Sequence, residues 1–369
     1  MRTRIAVIIA ILQSILFLAH WFVYETWARF LGIRDPGALS EPQIAFALLS
    51  VSFVIASLLA FRYSNLFVRL LYITAASWLG ILSFCFFAAC SCQILYLVVR
   101  LIGIHLPRRP LGVAFFSLAT FAGLYGIVNA SLTRVRRIAI ELPNLPASWR
   151  GRVAALVSDT HLGHVRGYGF ARKIVKMLNR ERPDIVFIAG DLYDGTAADV
   201  KRLAQPWAEI IAPLGAYFVT GNHEEFADRR KYLGALGQAG IRVLENEKIT
   251  VDGLQIVGVH YREAANSERF RAILQKATLD RNKASVLLTH APHRLSIPEQ
   301  EGVSLQLSGH THGGQFFPFT LIASRVYGGY AHGLKLWGRL KVYTSSGAGT
   351  WGPPVRLGAN PEVVLIQFA

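Results

Sequence analysis

Two short motifs place metal-binding side chains one residue apart. Asp159 and His161 stand in "SDTH", and His310 and His312 stand in "SGHTH". If the backbone is extended, side chains two positions apart point to the same side and lie roughly 7 Å apart, within reach of one ion. Carboxylate and imidazole together suit manganese, iron or zinc better than magnesium or calcium, which prefer oxygen ligands. Both motifs therefore indicate metal binding.

Three further motifs enlarge the set of candidate ligands. Asp191 stands in "GDLYD", Asn222 in "GNHE" and His290 in "LLTHAP". The complete set, with two carboxylates, one amide and four imidazoles, exceeds what one tetrahedral ion needs. It fits two ions that share Asp191, whose two oxygens can bridge them. Paired ions about 3.5 to 4 Å apart are a known means of activating water and holding a phosphoryl group.

His223 directly follows Asn222, and neighbours on an extended segment point to opposite sides. We therefore expect His223 to face a substrate, as an acid or a charge stabiliser. Other residues near the motifs are candidate substrate contacts, although each also has an ordinary interpretation as a turn, packing or solvated residue. They are Asp194, His164, Arg166, Trp351 and Arg356.

Strands are the elements expected to position these motifs. The short apolar runs "VAALV", "DIVFIA", "AYFVT", "SVLLT" and "VSLQL" each end directly before one of them. In open α/β sheets, ligands bind beyond the carboxyl ends of the strands, so five such ends can converge on one site. Helix-period segments such as "GFARKIVKMLNRER" alternate with the strands. The second half of the chain is therefore predicted to be an α/β domain.

The first 150 residues have a different composition, with no lysine and only four acidic side chains. Four charge-free stretches, Ile5 to Tyr24, Ile44 to Phe61, Leu70 to Val99 and Leu111 to Thr133, each have the length needed to cross a bilayer core about 30 Å thick. Bulky residues follow the first stretch in place of a signal-peptide cleavage site, which favours a retained anchor. We expect a transmembrane region at 1–133, a basic linker at 134–150 and a soluble domain at 151–369.

Charge and cysteine content narrow the location and the partners. With both termini inside, the inner segments carry seven arginines and the outer loops five, Arg29, Arg34, Arg100, Arg108 and Arg109, which favours a cytoplasmic soluble domain. The odd cysteine count, all in the third stretch, argues against disulfides and a Cys-rich zinc site. Of the net charge of +16, the soluble domain carries +7, which suits anionic lipid or a phosphorylated substrate. The domain lacks a basic helix with interleaved aromatic residues, so nucleic-acid binding is not expected.

The motifs "SDTHLG", "GDLYD", "GNHE", "LLTHAP" and "SGHTHGGQ" together resemble those of the calcineurin-like metallophosphoesterase superfamily, in its membrane-bound bacterial branch. The resemblance covers about Val153 to Ala369. It implies a sandwich of two mixed β-sheets flanked by helices. It also implies one ion on Asp159, His161, Asp191 and His312, a second on Asp191, Asn222, His290 and His310, and His223 as the catalytic histidine.

The function implied is a membrane-anchored phosphoesterase with two divalent ions, manganese first and iron or zinc as alternatives. A bacterial inner membrane is the expected location, and a phosphodiester or pyrophosphate of a lipid-linked substrate is the expected target. One alternative is a phosphodiesterase or phosphatase for soluble nucleotides or phosphoproteins. Another is a noncatalytic membrane protein with a degenerate phosphoesterase domain. The complete ligand set argues against the noncatalytic alternative.

Overall fold

The computed structural model describes residues 2–33, 41–226 and 228–369. Arg34, one of the outer-loop arginines of the sequence prediction, lies outside these ranges. The chain divides into two compact units. One comprises Met1–Val128 with Gly352–Val355, and the other comprises Asn129–Trp351 with Arg356–Ala369.

Four long helices make up most of the first unit: α1 (Arg2–Leu31), α2 (Glu41–Arg62), α3 (Leu66–Leu101) and α4 (Arg108–Asn129). All four are long and apolar enough to cross a membrane, which confirms that part of the prediction. At 1.5 Å per residue, the 36 residues of α3 extend well beyond a hydrocarbon core of about 30 Å. Cys85, Cys90 and Cys92 lie in this helix as free thiols.

The second unit contains two six-stranded sheets. The first has the order β1-β12-β2-β3-β4-β5, in which β12 is antiparallel to β2 and the other neighbours are parallel. Its strands are β1 (Arg134–Ile140), β2 (Val153–Val157), β3 (Ile185–Ala189), β4 (Ala216–Val219), β5 (Arg242–Val243) and β12 (Glu362–Phe368).

The second sheet has the order β10-β11-β9-β8-β7-β6, with antiparallel pairs at both edges and parallel pairs between. Its strands are β6 (Glu247–Val251), β7 (Leu254–Val259), β8 (Ser285–Thr289), β9 (Leu305–Ser308), β10 (Gly333–Trp337) and β11 (Leu340–Thr344). One apolar cluster joins the two sheets face to face, with Leu156 and Phe187 from the first and Ile256, Leu288 and Leu307 from the second.

Helices cover the outer faces of both sheets. They are α5 (Tyr168–Glu181), α6 (Val200–Ala204), α7 (Arg229–Gln238), α8 (Tyr261–Ala264), α9 (Ser267–Lys276) and α10 (Ser296–Gln300). A further helix, α11 (Phe319–Val326), has no buried residue. On α5, Ile174, Val175 and Leu178 are buried against the first sheet, as the helical spacing of these residues predicts. The predicted sandwich of two mixed sheets flanked by helices is confirmed.

Residues 134–150, expected from their charge and prolines to form a linker, contain a strand of the sandwich. Here β1 pairs in parallel with β12 over seven residues, and Trp149 is fully buried against Phe368. This strand lies at a sheet edge, where few of its side chains are buried. Its sequence "RVRRIAI" can therefore carry three arginines without a regular alternation of polar and apolar residues. Its pairing partner is more than 200 residues away, so local sequence gives little sign of it.

Candidate metal centre

Five loops carry the candidate ligands, and each follows a strand as the sequence predicts. The loops after β2, β3 and β4 come from the first sheet, and those after β8 and β9 come from the second. Backbone bonds hold them together at the strand ends. Asp159 N–H donates to the Gly190 carbonyl at 3.1 Å, and Gly309 N–H donates to the His290 carbonyl at 2.8 Å.

Asp159, His161 and His312 form one ligand group, here called the first cluster, whose donor atoms lie within 4.8 Å of one another. The Nε2 atoms of His161 and His312 are 3.0 Å apart, and His312 Nε2 lies 3.5 Å from Asp159 Oδ1. All three residues are buried. The arrangement presents two imidazole nitrogens and a carboxylate oxygen to one point.

The second cluster consists of Asp191, His290 and His310, joined by Asn222. His290 Nε2 lies 3.2 Å from Asp191 Oδ2, 3.1 Å from His310 Nδ1 and 3.2 Å from Asn222 Oδ1. Two imidazole nitrogens, a carboxylate oxygen and an amide oxygen therefore surround one point. These donors form a mixed set of the kind that manganese, iron and zinc accept.

Asp191 lies between the two clusters. Its Oδ2 atom is 3.2 Å from His290 Nε2 in the second cluster and 3.8 Å from His161 Nε2 in the first. Its other oxygen, Oδ1, accepts the backbone N–H of His223 at 2.8 Å, which fixes the rotation of the carboxylate. No other carboxylate in the described residues is within ion-pair distance of histidines from both clusters.

The backbone at the centre is in an uncommon conformation. Asp159, His161, Asp191, His310 and His312 all have positive φ angles, between 47° and 72°. Such angles are uncommon outside glycine and need surrounding structure to hold them. The flanking loops also pass very close. A Cβ at Gly309 would lie 1.8 Å from Ser158 Oγ, and one at Gly221 would lie 2.1 Å from Asp191 Oδ1, so only glycine fits at either position.

Hydrogen bonds on the far ring nitrogens orient the histidines. His290 Nδ1 donates to the Ala189 carbonyl at 2.7 Å, which leaves the Nε2 lone pair directed into the second cluster. His223 Nδ1 donates to the Asp194 carbonyl at 2.8 Å, and its Nε2 lies 4.0 Å from Asp191 Oδ2. His223 thus lies beside the two clusters, and with His161 and Asp194 it forms a third group whose donor atoms lie within 4.8 Å of one another.

The ionisable side chains of the centre alter one another's pKa values. Burial is the largest single influence on the pKa of Asp191 and would raise it, but the charge and hydrogen bond of His290, together with the charges of His161 and His223, hold that pKa well below its usual range. The same pair has the reciprocal effect on His290: burial opposes its charged form, yet the Asp191 carboxylate raises its pKa to about 9. Burial, aided by the charge of His290, lowers the pKa of His310 to about 3. A dense group of carboxylates and imidazoles that compete for protons is suited to exchange those protons for cations.

Glu224 was not identified as a candidate from the sequence. Its carboxylate accepts the backbone N–H groups of Asp191, Tyr193 and Gly221 at 2.7 to 3.1 Å, and so ties the loop after β3 to the loop after β4. Burial, with the nearby Asp191 carboxylate, raises its pKa to about 7 against the opposing effect of those donors. The available signal was the final residue of "GNHE", an acid in the same short motif as the candidates Asn222 and His223.

Arg356, expected to contact a phosphate, is instead fully buried. Its guanidinium donates to the carbonyls of His312 at 2.7 Å, Ser346 at 2.7 Å and Gly349 at 2.6 Å, and lies 3.0 Å from His312 Nδ1. An arginine has five N–H donors in a planar fork, which serve backbone carbonyls as well as phosphate oxygens. Sequence alone could not distinguish these two uses.

The other expected substrate contacts differ in position. Trp351 is 57% exposed, and its ring centre is 6.1 Å from that of His223, so it can meet a substrate. Asp194 is buried with Oδ1 3.5 Å from His161 Nδ1, which places it behind the first cluster. His164 is buried against Thr196, and the half-buried Arg166 lies over the Phe170 ring.

Comparison with known proteins agrees with this geometry. A family model described as calcineurin-like phosphoesterase matches residues 153–314, which include all seven candidate ligands. The chain is 33% identical over 259 residues to an uncharacterized metallophosphoesterase of Aquifex aeolicus, covering 68% of this chain and 97% of that protein.

Two other relatives are longer than the aligned region. An uncharacterized metallophosphoesterase of Campylobacter jejuni is 32% identical over 251 residues, 66% of each chain. A Danio rerio protein named transmembrane protein with metallophosphoesterase domain is 32% identical over 260 residues, 66% of this chain and 59% of that protein. The chain thus spans about two thirds or less of these two relatives.

Proposed function

Because the chain belongs to the calcineurin-like metallophosphoesterases, we propose that it is a membrane-anchored phosphoesterase that uses two divalent ions to hydrolyse a phosphodiester or pyrophosphate bond. The observation that carries the proposal is the position of Asp191, with one carboxylate oxygen 3.2 Å from His290 and 3.8 Å from His161. A carboxylate so placed suits a shared ligand for two neighbouring ions.

The two clusters supply a complete donor set for each ion. Asp159, His161, Asp191 and His312 would hold one ion, and Asp191, Asn222, His290 and His310 the other. Manganese is the expected metal, with iron or zinc as alternatives, because the donors mix imidazole nitrogen with carboxylate and amide oxygen.

When bound, the pair of ions would lower the pKa of a water molecule and neutralise the phosphoryl oxygens. The protein's own residues then determine orientation. Asp191 is held by the N–H of His223, so its carboxylate cannot rotate away from the two clusters. His223 is held by the Asp194 carbonyl on Nδ1, which leaves Nε2 to carry a proton to the leaving oxygen. Exposed Trp351, beside His223, is positioned to stack on the leaving group.

The substrate proposed is an amphiphilic phosphoester such as a lipid-linked pyrophosphate. Four helices able to cross a membrane and the net charge of +7 on residues 151–369 support this choice. The proposed location is a bacterial inner membrane with the phosphoesterase unit in the cytoplasm. The competing proposals are hydrolysis of soluble nucleotides or phosphoproteins, and a noncatalytic role for the domain.

Substitution of Asp191 by alanine tests the assignment. Removing the shared carboxylate should release both ions and abolish hydrolysis, because each cluster loses a ligand and one ion alone cannot replace the pair. Manganese content per chain and hydrolysis of a nitrophenyl phosphodiester would be measured on the full-length protein. Asp199→Asn is the matched control, since it removes an exposed carboxylate that caps α6 and leaves both clusters untouched. Full activity with two ions per chain in Asp191→Ala would refute the assignment.

A pair of substrates separates the alternatives. Purified protein would be offered the same pyrophosphate with and without acyl chains. A preference for the acylated form in kcat/KM supports the lipid-linked substrate, and equal values favour the soluble one. If neither these compounds nor phosphomonoesters are hydrolysed by metal-loaded protein, the noncatalytic role is favoured.

A further inference from the structure

Exposed apolar side chains of the phosphoesterase unit are concentrated in one segment. Of twelve large exposed hydrophobic side chains described in that unit, eight lie between residues 317 and 337. They are Phe317, Phe319, Leu321, Ile322, Val326, Leu334, Leu336 and Trp337, and the other four are Leu132, Ile211, Phe226 and Trp351. We call residues 317–337 the α11 surface. Soluble monomeric proteins rarely keep so many apolar side chains together on a surface without a binding function.

The helix α11 differs from the other amphipathic helices of the unit. On α5 and α9 the apolar face is buried, whereas no residue of α11 is buried. Leu321, Ile322 and Val326 are 62%, 54% and 71% exposed. Burying a side chain of this size stabilises a protein by about 1.5 to 3 kcal/mol. The exposed apolar side chains of α11 are therefore available to a partner.

The charges around this segment favour one kind of partner. Between Gly302 and Pro361 the sequence has no acidic residue, while it has five basic ones. Three of these, Arg325, Lys335 and Arg339, are exposed within or beside the α11 surface. Lysine and arginine around apolar residues, with tryptophan among them, match the headgroup region of an anionic bilayer. A second copy of this chain would bring the same positive charges together.

We infer that the α11 surface inserts into the headgroup region of an anionic lipid bilayer. Insertion to a depth of roughly 5 to 10 Å is typical of amphipathic helices at membranes. A bilayer partner is consistent with a chain that has four helices able to cross a membrane. The inference does not depend on hydrolysis, since it concerns contact with lipid and not the reaction.

The α11 surface also adjoins the candidate metal centre. It begins three residues after Gly314, and a Cβ at Gly314 would lie 2.5 Å from Thr320 Cα, so the end of "GHTHGG" packs directly on the start of α11. At the other end of the helix, the Tyr327 ring lies 6.1 Å from the ring of His310. Lipid contact at α11 would therefore occur within a few residues of two candidate ligands.

Spin labels can locate the surface relative to the bilayer. The full-length protein, with its three cysteines replaced by alanine, would carry one label through Ile322→Cys and, as a matched control, through Ile211→Cys, which is 68% exposed in the same unit outside the surface. Each would be placed in nanodiscs of phosphatidylcholine and phosphatidylglycerol. Collision rates would be measured with oxygen, which concentrates in the bilayer, and with a water-soluble nickel chelate. Leu336→Cys provides a second site on the surface if the first variant fails to fold.

The expected result is a label at position 322 with high oxygen and low nickel accessibility, and a label at 211 with the reverse. High nickel accessibility at both 322 and 336 would overturn the inference, because the surface would then face water. Low accessibility to both agents would also overturn it, since that result indicates a protein partner such as a second copy. Nickel accessibility at 322 should be at least twofold higher in nanodiscs of phosphatidylcholine alone than in the mixed nanodiscs. A smaller difference would show that the surface does not require anionic lipid.

Discussion

The two ligand clusters are supported in different ways. In the second cluster, the ring of His290 donates to a backbone carbonyl. In the first, the rings depend on charged side chains: His161 faces the carboxylate of Asp194, and His312 lies against the buried guanidinium of Arg356. Support by the main chain survives most substitutions, whereas support by side chains can be removed one residue at a time. The first cluster is therefore expected to be the one that distant mutations weaken.

The largest effect is expected from His290→Ala. This substitution removes a ligand of the second cluster directly, so the protein should retain one ion and lose the other. A catalytic ion supplies several kcal/mol of charge stabilisation, and about 1.4 kcal/mol corresponds to tenfold in rate. We therefore expect kcat to fall by about 10³-fold. Ion content by mass spectrometry, measured alongside kinetics, would test this. Two tightly bound ions in the variant would show that His290 is not needed to hold an ion in the second cluster.

Arg356→Met should act on the first cluster from outside it. The change leaves the buried carbonyls of Ser346 and Gly349 without their donor, and unsatisfied buried groups cost about 1 to 3 kcal/mol each. We expect the free energy of unfolding to fall by about 3 kcal/mol and the first ion to be lost before the second. Chelator titration combined with thermal unfolding would measure both effects. Arg150→Met, at an exposed position, is the control. Equal loss of both ions would contradict side-chain support of the first cluster alone.

A smaller and more selective effect is expected from Asp194→Asn. The side chain loses the charge that faces His161 Nδ1, while the backbone carbonyl that holds His223 is unchanged. Residues that orient metal ligands typically contribute about 10- to 100-fold to metal affinity. Affinity for one ion should fall within this range and affinity for the other should stay constant, as measured by competition with a fluorescent chelator. An unchanged affinity for both ions would show that Asp194 does not support His161.

The smallest effect concerns the backbone that carries the second cluster. His260 Nδ1 accepts the N–H of Thr220, two residues before Asn222, and burial together with Arg229 lowers the His260 pKa to about 3. The unfolded chain takes up this proton near pH 6.5, so stability from His260 is complete above that pH and is lost as pH falls toward 3. At pH 5 the loss is about 2 kcal/mol.

The variant His260→Asn keeps an oxygen acceptor for Thr220 but cannot titrate. Its thermal midpoint should therefore fall less than that of the unmodified protein between pH 8 and pH 5. The same fall in both proteins would mean that His260 does not make this strand end sensitive to acid. Half-buried His293, with its pKa lowered to about 4 by burial and by Arg294, remains in both proteins, so its effect cancels in the comparison.

Much of the centre could be predicted from the sequence because its signals are local. Each ligand directly follows a strand, and Asp191 and His312 are each found in a motif of a few residues. The contributions of Arg356 and Glu224 were not predicted correctly or at all, since each depends on a partner that lies near it only after folding. The charge on Arg356 suggested a phosphate, although its true partners are main-chain carbonyls. The strand β1 was missed for the same reason, because its pairing with β12 cannot be read locally.

The positive φ angles of five candidate ligand residues bear on how the protein would acquire a metal. The close packing at Gly221 and Gly309 restricts rearrangement of these loops, so we expect the ligand positions to be set when the chain folds. A preformed site of this kind would accept different divalent cations of similar size. We therefore expect the occupant to follow the supply of metals in the compartment where folding finishes. Cells grown in manganese-poor and zinc-rich media would then yield the same fold with different ions and different rates.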